Sequence, residues 1–262
     1  MKVDLERRFG GLRRLYGDEG YARIRSARVA VVGVGGVGSW AAEALARCGV
    51  ASLTLIDLDH VAESNVNRQV QALGATLGMA KVQALAERIA DIHPACDVRC
   101  IEEFADAGNW PSLLPCAVDA VIDACDQVRA KHALAAWACR SRNVAFVCVG
   151  AAGGKQLAQQ VQVDDLALTT HDPLLAALRQ RLRKSGDAPR TGTIGVRCAF
   201  SREPVRTPDD ATCEADVESN LNCQGYGSSV MVTATFGLAA ASDLVQQLLV
   251  RTLEESTTAV PL

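Results

Sequence analysis

No two of the ten cysteines in this 262-residue chain are spaced as C-x-x-C. Zinc sites of the paired type need that close spacing, so no structural zinc is expected. A disulfide framework does not fit a chain of this size, because such staples belong to small secreted domains. Cys48, Cys139 and Cys148 lie inside apolar patterns and read as small core residues. Long apolar runs are missing too: each is broken by Gly, Ser or charge, which leaves no membrane span. The start, MKVDLERRFGG, is charged and lacks the apolar core of a secretion signal, so the expected compartment is the cytoplasm. Net charge is only −3, and global electrostatics advertise no polyanion partner. No internal repeat is visible.

What is present is a glycine fingerprint in a telling place. Val29, Ala30, Val31 and Val32 form a short apolar run, as a strand buried on both faces of a parallel sheet reads. The run stops at Gly33-Val34-Gly35-Gly36-Val37-Gly38, and a helical pattern follows with Trp40, Ala41, Ala44 and Leu45 on one face. Strand, glycine-rich turn and helix N-terminus cradle a phosphate, because free N–H groups and the helix dipole favour negative charge. A second strand, Ser52 to Ile56, ends in Asp57, nineteen residues after Gly38. A carboxylate there accepts hydrogen bonds from ribose hydroxyls. These features point to an adenine nucleotide.

The residues after Asp57 narrow the choice. Asp59 and the run Glu63-Ser64-Asn65-Val66-Asn67-Arg68-Gln69 leave the carboxyl end of that strand, where ligands bind in open α/β sheets. A hydride-transfer enzyme has no evident need for so polar a loop. A triphosphate site would use Arg68 as a clamp and the asparagines to orient substrate. Lys81 opens an amphipathic helix with Val82, Leu85, Ala86 and Ile89, and is unfavourable there unless it faces an anion. Val98 to Ile101 and Ala120 to Asp123 read as the third and fourth strands. Asp123 and Asp126 are expected to face the crevice of the glycine loop, which suggests Mg²⁺ shared with phosphates. Asp126 also suits a helix N-cap.

A fifth strand spans 144–149, and alternating runs at 156–163 and 193–200 read as strands of a less regular second half. Between them, a helix from Leu174 to Leu182 begins the basic cluster Arg179, Arg181, Arg183, Lys184 and Arg190. Such a cluster is either a solvated face or a nucleic-acid contact surface. Cys223 sits in a Gly- and Ser-rich turn ahead of a helix, where the dipole stabilises a thiolate. The last helix, Val230 to Leu249, is hydrophobic nearly all round and is expected to be buried, with a dimer interface as one partner. Residues 1–27 read as a loop entering a short helix with Arg7, Arg8, Arg13, Arg14, Arg23 and Arg25, an arm close enough to a phosphate site to deliver a guanidinium to a triphosphate.

The expected fold is α/β: a Rossmann-like, doubly wound, mostly parallel sheet with a less regular C-terminal extension and a buried C-terminal helix. One continuous domain is expected, divided into an arm (1–27), an ATP-binding core (28–155) and a C-terminal part (156–262).

Five elements, in order across residues 33–126, resemble the ubiquitin-activating-like adenylating superfamily, which includes the molybdopterin- and thiamine-pathway adenylating enzymes. They are Gly33-x-Gly35-Gly36-x-Gly38, Leu55-Ile56-Asp57-x-Asp59, Ser64-Asn65-x-Asn67-Arg68-Gln69, Gly78-x-x-Lys81 and Asp123-x-x-Asp126. The resemblance implies Mg-ATP binding and activation of a carboxylate as an acyl-adenylate. Arg68, Lys81 and Mg²⁺ on Asp126 would meet the phosphates, and Arg8 or Arg14 would complete the triphosphate site of a partner subunit. RFGG-x-x-RLYG, VGSWAAEALAR, DPL-x-x-x-LR-x-R-L and MVTATFG are similar to the bacterial branch that dehydrates N6-threonylcarbamoyladenosine in tRNA. That likeness implies a homodimer, a tRNA substrate facing helix 174–184, and ring closure with loss of water; it leaves room for sulfur-relay proteins as partners. A transient thioester on Cys223 is not required by this chemistry. The alternatives are an adenylating enzyme for a ubiquitin-like sulfur carrier and, second, a nicotinamide-dependent oxidoreductase.

Overall fold

A computed structural model describes residues 3–141, 143–206 and 226–258, with the backbone alone over 251–258. Its strands are β1 (Arg28–Val32), β2 (Ser52–Ile56), β3 (Asp97–Ile101), β4 (Ala120–Asp123), β5 (Ala145–Val149), β6 (Val161–Asp165) and β7 (Arg197–Ser201). They form one sheet in the order β3-β2-β1-β4-β5-β7-β6. All neighbours are parallel except β6, which runs antiparallel to β7 at one edge. The sheet is therefore doubly wound, and the order reverses between β1 and β4. In such sheets the crevice beyond that reversal is where ligands bind.

Parallel neighbours need crossovers, and helices supply them. They are α3 (Gly38–Arg47), α4 (Lys81–Ile92), α5 (Val128–Arg140) and α6 (Pro173–Ser185), with α1 (Leu5–Phe9) and α2 (Gly11–Ser26) ahead of the sheet and α7 (Val230–Thr258) after it. Alternate residues of β1 enter opposite cores. Val29 and Val31 pack with Leu45, Phe236 and Leu244, while Ala30 and Val32 pack with Leu134, Leu178 and Phe200. Burial on both faces explains why these strands read as unbroken apolar runs.

Four expectations are corrected. The N-terminal stretch is helical in α1 and α2, broken only at Gly17, whose φ of +74° suits glycine. β6 begins at Val161, because residues 158–160 form a single tight turn before it. β7 begins at Arg197, since Asp165 takes the N–H groups of Ile194 (3.0 Å) and Gly195 (2.7 Å) out of any ladder. α7 buries only one face: Val232, Phe236, Ala240 and Leu244 are enclosed, while Met231, Leu238 and Val250 are exposed. Gly237 lies where a Cβ would strike the Val37 carbonyl and Trp40, so α7 packs directly on the start of α3. Among the described residues, no helix is long and apolar enough to cross a membrane.

Candidate nucleotide and substrate site

The chain leaves β1 through Gly33, whose N–H donates to the Ile56 carbonyl at 2.8 Å and whose φ is +82°. A Cβ on Gly33 would come within 2.9 Å of the Ala124 carbonyl and the Cys125 nitrogen, so the ends of β1 and β4 touch through it. A Cβ on Gly38 would collide with the Gly33 carbonyl, which makes glycine obligatory at the first residue of α3. No side chain caps α3. Ser39 N–H closes back on the Gly35 carbonyl (3.1 Å), but among the described residues the N–H groups of Gly36, Val37 and Gly38 meet no backbone acceptor. Orphan donors at a helix N-terminus make an anion site. Gly35 borders open space, its nearest neighbour being Gln69 Nε2 at 4.0 Å from an added Cβ.

The carboxylate after β2 holds this loop in shape. Asp57 accepts from Val34 N–H (2.8 Å) through Oδ2 and from Asp59 N–H (2.9 Å) through Oδ1. Burial pushes its carboxyl above the usual range, partly offset by the charge of Lys81 and by those two N–H groups. Lys81 lies nearly buried in the first turn of α4, with Nζ 2.7 Å from Asp59 Oδ2. The anion it faces within the chain is thus Asp59.

Arg68 and the asparagines are brought to the same rim. The Arg68 stem crosses Gly36, 3.3 Å from where a Cβ would stand. Its Nη1 donates to the Ser64 carbonyl (2.7 Å) and to Asn67 Oδ1 (3.0 Å). Asn67 in turn donates to the Ser228 carbonyl (3.0 Å), tying the loop to the residues just before α7. Asn65 is buried and turns its oxygen to the Ala62 N–H (3.0 Å), so it shapes the loop.

Asp123 departs from expectation. Instead of facing the crevice, it is fully buried beneath it, with Oδ2 3.1 Å from Lys131 Nζ and Oδ1 accepting from the Cys125 thiol (2.8 Å) and N–H (3.2 Å). Lys131 also reaches the Asp123 carbonyl at 3.3 Å and Cys148 Sγ at 3.6 Å. Asp126 remains exposed, three residues on and close to Gly33 through Cys125. It is not an N-cap, since Gln127 holds that position in α5.

Other candidates scatter. Arg8 donates to the carbonyls of Asp91 (2.7 Å) and Ile92 (2.5 Å), closing the end of α4. Arg14 is exposed with no hydrogen bond or ion pair among the described residues. The basic cluster divides: Arg179 serves the carbonyls of Leu166 and Thr169 (both 3.0 Å) and Arg183 that of Gly192 (3.4 Å), while Arg181, Lys184 and Arg190 are exposed. Cys223 lies outside the described residues.

Several residues at the site escaped the sequence reading. Trp40 Nε1 donates to the Arg68 carbonyl (2.9 Å), Gln71 to the Val34 carbonyl (2.9 Å), and Thr233 Oγ1 approaches the Arg68 carbonyl at 3.4 Å. Lys131 offered one signal, a cation between Ala130 and the apolar run Leu134-Ala135-Ala136.

A family model described as the ThiF family matches residues 8–260. The chain belongs to the ThiF family. Its ThiF relatives include the tRNA threonylcarbamoyladenosine dehydratase of Escherichia coli K12, 42% identical over 253 residues, which are 93% of this chain and 94% of that one. The Bacillus subtilis protein of the same name is 35% identical over 237 residues, covering 89% and 91% of the two chains. A solved structure of the E. coli enzyme TcdA in complex with ATP matches with a TM-score of 0.86 at 40% identity, covering 97% of this chain and 99% of that chain. The Rossmann-like ThiF fold and the adenylating superfamily read from the motifs therefore both hold for this chain.

Proposed function

We propose that this chain is an ATP-dependent dehydratase acting on N6-threonylcarbamoyladenosine in tRNA. The reading rests above all on near-full-length similarity to relatives of that name, including one solved with ATP. Its support in the site is the set of N–H groups at Gly36, Val37 and Gly38, open at Gly35 and crossed by Arg68. That set suits a phosphate chain, with Arg68 and the α3 dipole meeting its charge.

A free carboxylate is a poor electrophile. Attack by its oxygen on the α-phosphorus of ATP expels pyrophosphate and leaves an acyl-adenylate. A nucleophile of the same side chain then attacks the acyl carbon, and AMP departs carrying the original carboxylate oxygen. The net change in the nucleoside is loss of one water. Ring closure within one side chain needs little more than correct orientation, which a tight pocket supplies. Asp57 and Asn65 fix the loop, Lys81 lies against Asp59, and Arg68 neutralises charge growing on the phosphates.

Asp126 suits Mg²⁺, being an exposed hard-oxygen donor beside the glycine loop. Among the described residues no group of three or more metal-ligating side chains exists, so phosphate oxygens and water would complete the coordination. When bound, the ion would supply further charge neutralisation. For the arginine serving a neighbouring subunit we favour Arg14, because the Arg8 guanidinium is already spent on α4. The exposed apolar side chains Met231 and Leu238 on α7 would suit a homodimer face. Work on tRNA makes the cytoplasm the expected compartment.

The test is nucleoside analysis of tRNA from cells lacking this protein, before and after treatment with purified protein and Mg-ATP. A mass lower by one water on threonylcarbamoyladenosine is expected. No change in mass, with ATP–pyrophosphate exchange appearing only when a sulfur-carrier protein is supplied, would overturn the tRNA assignment.

A further inference from the structure

The buried charged residues outside the nucleotide loop include Lys155 (2% exposed), Asp172 (4%) and Glu203 (3%). Burying charge costs free energy unless hydrogen bonds replace water, and here backbone groups supply most of them, with Glu203 Oε1 left without a hydrogen bond. Lys155 Nζ donates to the carbonyls of His171 (3.1 Å), Ser201 (3.3 Å) and Glu203 (2.7 Å). Asp172 accepts from Ala151 N–H (2.8 Å) and caps α6 at Leu175 N–H (3.0 Å). Glu203 accepts from the N–H groups of Gln156 and Leu157, both at 2.8 Å. Together with Arg179 on the Leu166 and Thr169 carbonyls, they weld three surface segments into one rigid rim.

That rim borders a shallow surface cavity of about 310 Å³, wide open to solvent and lined by Thr170, His171, Pro173, Ala176, Arg179 and Pro204 among others. His171 is the one non-glycine residue with positive φ among the described residues, at +58°. A strained backbone held by its surroundings is a hallmark of functional loops. His171 is exposed and lines the cavity, its Nδ1 3.0 Å from Thr170 Oγ1. The cavity stands at the carboxyl edge of the sheet, since Asp172 grips the residue two beyond β5, next to β4 and Asp126.

The chemistry of the lining selects its occupant. The volume suits one ring system, and Pro173, Ala176 and Pro204 give apolar walls with His171 as a flat stacking partner. Asp172 also lines the cavity, buried, with its two oxygens turned to the N–H groups of Ala151 and Leu175. Arg181 and Lys184 on α6 and Arg190 just beyond are exposed, with no partners among the described residues, and would meet a phosphate backbone. RNA-binding proteins read splayed bases by such stacking on aromatic side chains.

We propose that this cavity receives a nucleobase of the tRNA strand flanking the reacting nucleotide, stacked on His171, an inference that rests on the tRNA reading above. The experiment measures binding of unmodified tRNA and of ATP to the full chain and to two variants. Glycine adopts φ of +58° without strain, so His171→Gly removes the ring while the melting temperature holds or rises. Its tRNA affinity is expected to fall about tenfold, roughly the contribution of one stacked base, with ATP affinity unchanged. Ala176→Phe fills the cavity and should give the same loss. Equal tRNA affinity in wild type and both variants overturns the proposal, as does a His171→Gly protein that loses stability in step with affinity. A wild-type protein that binds no tRNA at all removes the functional reading itself, a different outcome from either.

Discussion

Lys131 and Asp123 face each other at 3.1 Å with neither side chain exposed, directly below the turn that presses Cys125 against Gly33. The ion pair is a foundation of the nucleotide loop, although neither charge reaches the crevice. Lys131→Met strands a buried carboxylate and is expected to cost about 3–5 kcal/mol, whereas Asp123→Asn with Lys131→Met should cost clearly less. Burial alone would lower the ammonium, but the charge of Asp123 outweighs it and holds Lys131 above its ordinary value. A raised folded value means the stabilisation is fully present below about 10.5, the ordinary value, and is lost only as pH rises through the higher folded one. Thermal melts across neutral and mildly alkaline pH should therefore show a constant gap between wild type and Lys131→Met.

Two glycines three residues apart, Gly35 and Gly38, should behave in opposite ways. Gly38→Ala drives a methyl into the Gly33 carbonyl and should prevent stable folding. Gly35→Ala meets nothing nearer than 4.0 Å, so its melting temperature should stay within about 2 °C of wild type if the change costs under about 0.5 kcal/mol. The same methyl points into the space meant for phosphate, and ATP affinity should fall tenfold or more by calorimetry.

Arg68→Ala tests the clamp. Removing a donor that meets transition-state charge typically costs about 10²–10³ in rate, so AMP release should fall by that order. Asp126→Ala should raise the magnesium concentration needed for half-maximal activity while leaving the melting temperature unchanged, since that carboxylate is exposed. A loss of stability in Asp126→Ala would count against its role.

Asp57 supplies the pH test. Its carboxyl lies above the ordinary 3.8 because of burial, so protonation favours the fold and its benefit is lost as pH rises through the folded value. At neutral pH the buried charge therefore costs stability. Asp57→Asn keeps one acceptor but turns an NH2 group on the second N–H, so it should melt below wild type at pH 7, and the gap should widen as both are acidified towards pH 4, where wild type gains from protonation. Affinity for ATP should drop about tenfold or more, as expected where a charged hydrogen-bond acceptor is lost.

Much of this was legible in the chain. β1, β2, β4 and β5 announced themselves because burial on both faces demands unbroken apolar runs, and Gly33, Gly38 and Arg68 because their spacing is tied to one turn. Asp123 misled, since position at a strand end does not say which way a carboxylate turns; that depends on Lys131, which reads as a surface residue of a helix until α5 is laid on the sheet. Trp40, Gln71 and Thr233 were silent for the same reason, their partners being backbone carbonyls of a distant loop. The late start of β7 hinged on Asp165, whose claim on two N–H groups no pattern of hydrophobicity reports.

Thr233 backs Gly36, and Gly237 abuts Val37, two hundred residues earlier in the chain. During synthesis the glycine loop emerges long before this wall behind it exists. A nascent chain holding the first five strands thus carries the phosphate fingerprint without its final support. The wall behind the glycine loop is therefore complete only once α7 has been made and packed, late in synthesis.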